Sequence, residues 1–435
     1  MHLLKSLSQS NKDIRILWVS VFIRMASYGL TNQVLTLYLK SLNIDEFKIG
    51  IFMTLTLIGD TLISYYLTWN ADRIGRKRVM LFGCLMMFVS GVIFCFCSNF
   101  YVLLIAAIIG VISPSGDETG PFKSIEEASI ACLTPHNHRP EIFAFYGLFA
   151  TLGSALGSLI CGGFVDWMNL RMGFEVIFCY KLVFLGYAGF AWMKFVLMLF
   201  LSDKCEINHQ LDENSQLLIN NENQEEEDKS WFSLSQTAKY YLPKLLMIFM
   251  LDSLGYGFMP SAWIIYYLKI TFKLTAFALG TLFFITNLVD SISSLPSAYF
   301  AKTLGPVKAI LFTQIPSAIF FGLITIIRDQ YFTVCGLLIL YYTLTTMDVV
   351  PRQILLTSIM PQKDIVKVMG IVNIGKTLAR CIGPVITGKL AEGNKLYLGF
   401  IINAGCVLMA DMILAGNFLH LDNEILIKQS FIEDI

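Results

Sequence analysis

The hydropathy pattern resolves the chain into apolar runs of about 20 residues, separated by short polar stretches. That is the length a helix needs to cross a hydrocarbon core of roughly 30 Å. Twelve runs are read, at approximately 14–39, 49–70, 79–97, 101–133, 142–165 and 174–201 in the first half and 243–268, 278–299, 308–327, 331–358, 369–390 and 396–418 in the second. None shows period-2 alternation, so each must satisfy its backbone hydrogen bonds internally, which predicts helices and not a barrel. The expected fold is an all-α membrane protein with 12 transmembrane helices in two six-helix bundles. Residues 1–201 form the first bundle and 242–420 the second; 202–241 is an acidic disordered cytoplasmic loop, and 421–435 a cytoplasmic tail.

Composition agrees with this reading. Of 435 residues 55 % are apolar and 15 % charged, too few charges for a soluble chain of this size. Lys+Arg and Asp+Glu both number 32, so no net charge draws the protein to nucleic acid. The first apolar run starts near Ile14 and is too long for the short core of a cleavable signal, so the first helix is expected to stay. Nearly all of the 10 cysteines fall inside apolar runs, where a thiol behaves as a small hydrophobe, and none has metal-site spacing. No cofactor is expected. Neither a nucleotide loop nor a nucleophile–base arrangement is visible, which argues against an enzyme and against ATP-driven pumping. Lys and Arg near the run ends, Arg73, Arg76, Lys77 and Arg78 foremost, concentrate on the side that holds both termini, which places the termini in the cytoplasm.

The two halves are related. Laid over 280–312 with no gap, 50–82 matches at Gly50/Gly280, Thr56/Thr286, Asp60/Asp290, Ser64/Ser294, Ala71/Ala301, Gly75/Gly305, Leu81/Leu311 and Phe82/Phe312. Apolar identities between membrane helices are common by composition alone. A carboxylate near a span's centre costs roughly 2.5–3.5 kcal/mol on insertion scales, so Asp60/Asp290 carries more weight. Tyr28-Gly29 lines up with Tyr256-Gly257, which sets Arg24 opposite Asp252, and Gly157–162 lines up with 383–388. Such a 6+6 duplication predicts a substrate site at the membrane midplane between the halves.

The segment after the second run, Thr68-Trp-Asn-Ala-Asp72-Arg73-Ile-Gly75-Arg76-Lys77-Arg78, resembles the G-x-x-x-D-R-x-G-R-R/K motif of the major facilitator superfamily, with Thr68 in place of Gly. The resemblance implies that Asp72, Arg73, Gly75 and Arg76 form a conformational latch; the second-half copy around Gly305 keeps only the glycine. The fifth run, Gly153-Ser-Ala-Leu-Gly157-Ser158-Leu-Ile-Cys161-Gly162, is similar to the G-x-x-x-G-P-x-x-G-G element of drug:proton antiporters, with Ser158 and Cys161 as departures. Its other reading is close packing of helix backbones through small residues. The sugar-porter signatures are absent. The fourth run carries about eight extra residues around Pro114, Gly116, Asp117, Glu118, Gly120 and Pro121, which predicts a broken helix, and its acidic stretch loosely resembles that of phosphate:proton symporters.

Charges within the runs supply the candidate pathway for substrate and protons: Arg24, Asp60, Asp117, Glu126, Asp252, Asp290, Asp348, Arg352, Lys376 and Arg380. Several recur at helical spacing, as Tyr341, Thr345, Asp348 and Arg352 do, and such faces must point into the bundle. Arg352 and Glu126 occupy equivalent repeat positions, so opposite charges can meet across a central cavity, or serve only as structural ion pairs. Alternating partners let a desolvated carboxylate load and release a proton. Arg352, Lys376 and Arg380 suit an anionic or zwitterionic solute. The expected partners are thus a small solute, protons and lipid, with the chain acting as a monomer.

The expected function is secondary active transport by alternating access, coupled to protons. A facilitative uniporter, and a transporter-like sensor signalling through 202–240, remain as alternatives. Glu213–218 and 422–427 resemble acidic dileucine sorting signals, which favour a vacuolar, lysosomal or endosomal membrane over the plasma membrane.

Overall fold

The computed structural model describes residues 11–110, 112, 121–134, 139–202, 205, 235–294 and 296–422. Among these there is helix and no strand. In chain order the first half holds α1 (Lys12–Ser41), α2 (Glu46–Ile74), α3 (Arg76–Phe96), α4 (Phe100–Ile109), α5 (Pro121–Leu133), α6 (Arg139–Asp166), which continues as a π-turn (Trp167–Arg171), and α7 (Val176–Leu199). The second half holds α8 (Gln236–Phe258), α9 (Ser261–Phe272), α10 (Ala276–Ser293), α11 (Ser297–Leu304), α12 (Pro306–Leu323), α13 (Tyr331–Thr345), a 3₁₀ turn (Thr346–Asp348), α14 (Val349–Ile359), α15 (Gln362–Glu392) and α16 (Leu398–Phe418).

Ten of the helical segments so described are long and apolar enough to cross a membrane. Two more of the expected runs take other forms. Of the fourth, α4 is a short apolar helix capped at its end by Gly110 and α5 starts at Pro121; the stretch expected to break it, 113–120, lies outside the described residues. The eleventh is α15, whose 31 residues include Lys376 and Arg380. The seventh run is divided at Met259-Pro260, because a proline lacks the N–H that a continuous helix needs; Pro260 caps α9 instead. The tenth tightens into a 3₁₀ turn that ends on Asp348.

The fold divides into two compact units. One contains Met1–Tyr38 with Leu55–Ser233, and the other Leu39–Thr54 with Leu234–Ile435. In the first, α3 packs along α7. Gly91 is the reason they can approach: a Cβ there would lie 2.8 Å from the Phe184 carbonyl oxygen. In the second, α8 packs against α15 and α16, and α12 against α16, around a core that includes Leu245, Ile248, Phe249, Leu355, Val368, Val372 and Phe418.

The duplication is visible in the backbone. Gly75 joins α2 to α3 with φ 103°, and its repeat partner Gly305 joins α11 to α12 with φ 90°, a region that side-chain-bearing residues rarely enter. Around Gly305 the structure adds something the sequence pattern does not show. Asp422, fully buried beyond the end of α16, accepts hydrogen bonds from the Val307 and Lys308 amides at 2.8 and 2.9 Å, and so caps the start of α12. Asp422 opens one of the two dileucine-like patterns, so its carboxylate is already engaged; the rest of that pattern, and the whole of the first, lie outside the described residues. Replacing Asp422 with Ala is expected to cost about 1 kcal/mol, the usual worth of a cap. Hydrogen exchange should show faster exchange at the Val307 and Lys308 amides; unchanged protection there would remove the cap from the account.

Candidate functional site

Each unit encloses one cluster of buried charge. In the first, α1 brings Ser20 and Arg24, α5 brings Phe122 and Glu126, α6 brings Tyr146 and α7 brings Lys194. Glu126 is fully buried and is the hub. Its Oε1 accepts from Ser20 Oγ at 3.1 Å and from Lys194 Nζ at 3.0 Å; its Oε2 accepts from Arg24 Nη2 at 2.9 Å and from the Tyr146 hydroxyl at 2.8 Å. Arg24 also donates to the Tyr146 oxygen at 3.0 Å. Lys194 sits over the Phe122 ring at 3.7 Å, an aromatic face that offsets part of what it loses by leaving water. Arg24 is 1 % exposed and Lys194 0 %, so two desolvated cations share one carboxylate. Asp60 on α2, 1 % exposed, is a further buried carboxylate among the described residues of this unit, and it accepts from Ser64 Oγ at 3.2 Å.

In the second unit α8 brings Asp252, the 3₁₀ turn Asp348, α14 Arg352 and α12 Gln314. Arg352 Nη1 pairs with Asp252 Oδ2 at 2.6 Å, and its Nε forms a second ion pair with Asp348. Gln314 donates to Asp348 Oδ2 at 2.6 Å. Next to them the Tyr256 hydroxyl and Thr345 Oγ1 are 2.5 Å apart, and Tyr341 stacks on Phe321 at 4.1 Å. Lys376 on α15 lies within the field of Arg352, Asp252, Arg380 and Asp348, and among the described residues it makes no ion pair within 4 Å. Asp411 on α16, 2 % exposed, lies within the field of Arg352, Asp252 and Asp348.

Helix crossings repeat between the units as well. A Cβ on Gly29 of α1 would lie 2.3 Å from the Ser154 carbonyl oxygen of α6, and one on Gly257 of α8 would lie 2.4 Å from the Arg380 carbonyl oxygen of α15. Gly29/Gly257 and Ser154/Arg380 are the aligned pairs. The antiporter-like glycines belong to the same crossing, since Gly153 and Gly157 meet the Phe22 and Ala26 carbonyls of α1.

The family follows from a model of the Major Facilitator Superfamily that matches residues 17–240 and 245–430. The chain belongs to the major facilitator superfamily. It is therefore a multi-pass membrane transporter and not an enzyme, and its partner is a small-molecule solute. Over 434 residues it is 51 % identical to the membrane protein YJR124C of Saccharomyces cerevisiae, covering 96 % of both chains. Over 164 residues it is 28 % identical to the quinolone resistance protein NorA of Staphylococcus aureus, covering 38 % of this chain and 41 % of that one. Among solved structures its fold is similar to a bacterial homologue of the human lysosomal transporter Spinster, with TM-score 0.72 at 10 % identity, covering 95 % of this chain and 97 % of that one. It is also similar to a D-xylose-proton symporter, with TM-score 0.69 at 15 % identity, covering 92 % and 97 %.

The structure thus brings Arg24 to Glu126, and Asp252 and Asp348 to Arg352, within each unit. Asp290 is partly buried and accepts from Thr346 Oγ1 at 2.8 Å. Arg380 is partly buried on α15. Asp117 lies outside the described residues. Of the latch residues, Asp72 and Arg73 stand in the last turn of α2, Arg73 exposed, and Gly75 makes the turn. Arg76, 7 % exposed, donates to the Ala128 carbonyl at 3.2 Å and to Cys132 Sγ at 3.0 Å, which ties α3 to α5. Sequence reasoning missed Lys194, Tyr146 and Asp411. Lys194 and Asp411 had a signal, as charges inside the sixth and twelfth apolar runs; Tyr146 had none, a tyrosine near a helix end being unremarkable.

Proposed function

We propose that this transporter moves a small solute by alternating access and is driven by protons. One observation carries the reading: each half buries an ionisable cluster at the same repeat positions, with the polarity reversed. Helix-1 position Arg24 pairs with fourth-run Glu126, while seventh-run Asp252 pairs with tenth-run Arg352. A fold that needed only stability would gain by filling such sites with apolar side chains, since buried ion pairs often stabilise less than their hydrophobic replacements. Retaining them in both halves fits groups that exchange partners, protons or substrate charge. Lys376, which makes no ion pair among the described residues, and Arg380 favour a solute with an anionic group, free or as part of a zwitterion. Gly75 and Arg76 act as the turn and anchor of the latch that the family motif implies.

The test is uptake into proteoliposomes of purified protein from a panel of amino acids, organic anions and quinolones, the last prompted by the similarity to NorA, with and without an imposed pH gradient. Accumulation above equilibrium is expected for at least one solute and only when the gradient is present. Equal flux with and without the gradient would replace this reading by a uniporter, and no flux for any solute would favour the sensor.

A further inference from the structure

We infer that Asp411 is a proton-binding group of the second unit, held as a neutral carboxylic acid when the cluster is closed as it is here. The inference rests on the transport reading only for its purpose; the site itself stands on geometry. Asp411 is the one charged residue of α16 and is 2 % exposed. Its Oδ2 is buried without a hydrogen-bond partner. Helices α8 and α12 pack against α16, and the charges that act on Asp411 come from α8, the 3₁₀ turn and α14. From α8 comes Asp252, from the 3₁₀ turn Asp348, and from α14 Arg352. The buried polar residues of α12 on this side, Thr313, Gln314 and Ser317, are uncharged. Lys376 on α15 faces Arg352, Asp252 and Asp348.

Three carboxylates therefore share the field of one guanidinium, which is engaged by two of them, Asp252 and Asp348. The third, Asp411, makes no ion pair among the described residues, and its Oδ2 has no hydrogen-bond partner there. An ionised carboxylate in that position would be desolvated, unpaired and repelled by two neighbours, all of which favour the protonated form. Arg352 pairs with Asp252 and Asp348, and it makes no such pair with Asp411. The first unit places a cation here instead. Aligning Phe184 with Phe400 and Ala188-Gly189 with Ala404-Gly405, a shift of 400 − 184 = 216, sets Lys194 against Ala410. Thus α7 delivers a cation to its cluster from almost the same place where α16 delivers a carboxylic acid. Rupture of the Arg352 pairs would free the guanidinium to stabilise Asp411 as a carboxylate, and the proton would leave to water.

The test reads the proton directly and needs no substrate. Purified full-length protein in lipid vesicles is titrated by infrared difference spectroscopy, in H₂O and D₂O. Wild type should show, at neutral pH, a carboxylic C=O band that shifts in D₂O. This band should be lost in Asp411→Asn and should reappear at an altered frequency in Asp411→Glu. Because Asn mimics the neutral acid, Asp411→Asn should also melt at or above the wild-type temperature. A band that persists in Asp411→Asn, or no protonated carboxyl at neutral pH in wild type, overturns the assignment. Should the band behave as expected while solute flux ignores the pH gradient, the transport reading falls and the proton site stands.

Discussion

Changing Glu126 to Gln should abolish transport and lower the stability of the purified protein by about 3–5 kcal/mol, the cost usual for removing one partner of a buried ion pair. The size follows from what is left behind. Arg24 and Lys194 each lose a carboxylate contact at 2.9–3.0 Å while buried to 1 % and 0 % exposure. A neutral amide can accept from one of them but neutralises neither, and its own N–H₂ would face donors. Thermal unfolding in detergent measures the loss. A second substitution separates this account from a generic packing defect: adding Lys194→Met to Glu126→Gln removes one stranded cation and should recover a good part of the lost stability, though not the transport. A Glu126→Gln protein as stable as wild type would mean that the cluster carries little energy and that the cations are solvated by some other route.

Reversal of polarity between the halves also explains what was and was not legible in the sequence. The apolar runs, the duplication and the glycine turn at Gly75/Gly305 are properties of local pattern and of backbone conformation, and a single chain displays them directly. The aligned charges were visible too, because a charge in an apolar run is costly enough to stand out. Their partners were not. Sequence alignment places Arg24 opposite Asp252 and Glu126 opposite Arg352, which invites pairing between the halves; the structure pairs Arg24 with Glu126 and Asp252 with Arg352 inside each unit. Nothing in the string distinguishes these, since both join a cation to an anion. Deciding needs the crossing of α1 over α5 and of α8 over α14, a tertiary property. The hub character of Glu126 has the same origin: its four donors come from α1, α6 and α7, and three of the four lie more than 60 residues away in sequence.

The glycines carry the last expectation, because they fix where those helices cross. Gly257→Ala should destabilise the protein by about 1–3 kcal/mol, as overpacking of a filled interior does, whereas Gly405→Ala should leave it unchanged or raise its stability by up to about 1 kcal/mol. Both sites lie within helices of the second unit, so each gains some helix propensity on adding a methyl. The surroundings are opposite. At Gly257 the new carbon would meet the Arg380 carbonyl oxygen at 2.4 Å and its carbonyl carbon at 3.1 Å, and backbone cannot swing aside as a side chain does. At Gly405 nothing lies within 4 Å. The same contrast should hold in the first unit between Gly29, pressed to the Ser154 carbonyl at 2.3 Å, and Gly147, with nothing in reach. Thermal unfolding of the four single variants measures it. If Gly29→Ala and Gly257→Ala melt with wild type, the helix crossings are looser than the structure shows, and the cluster geometry that depends on them loses its support.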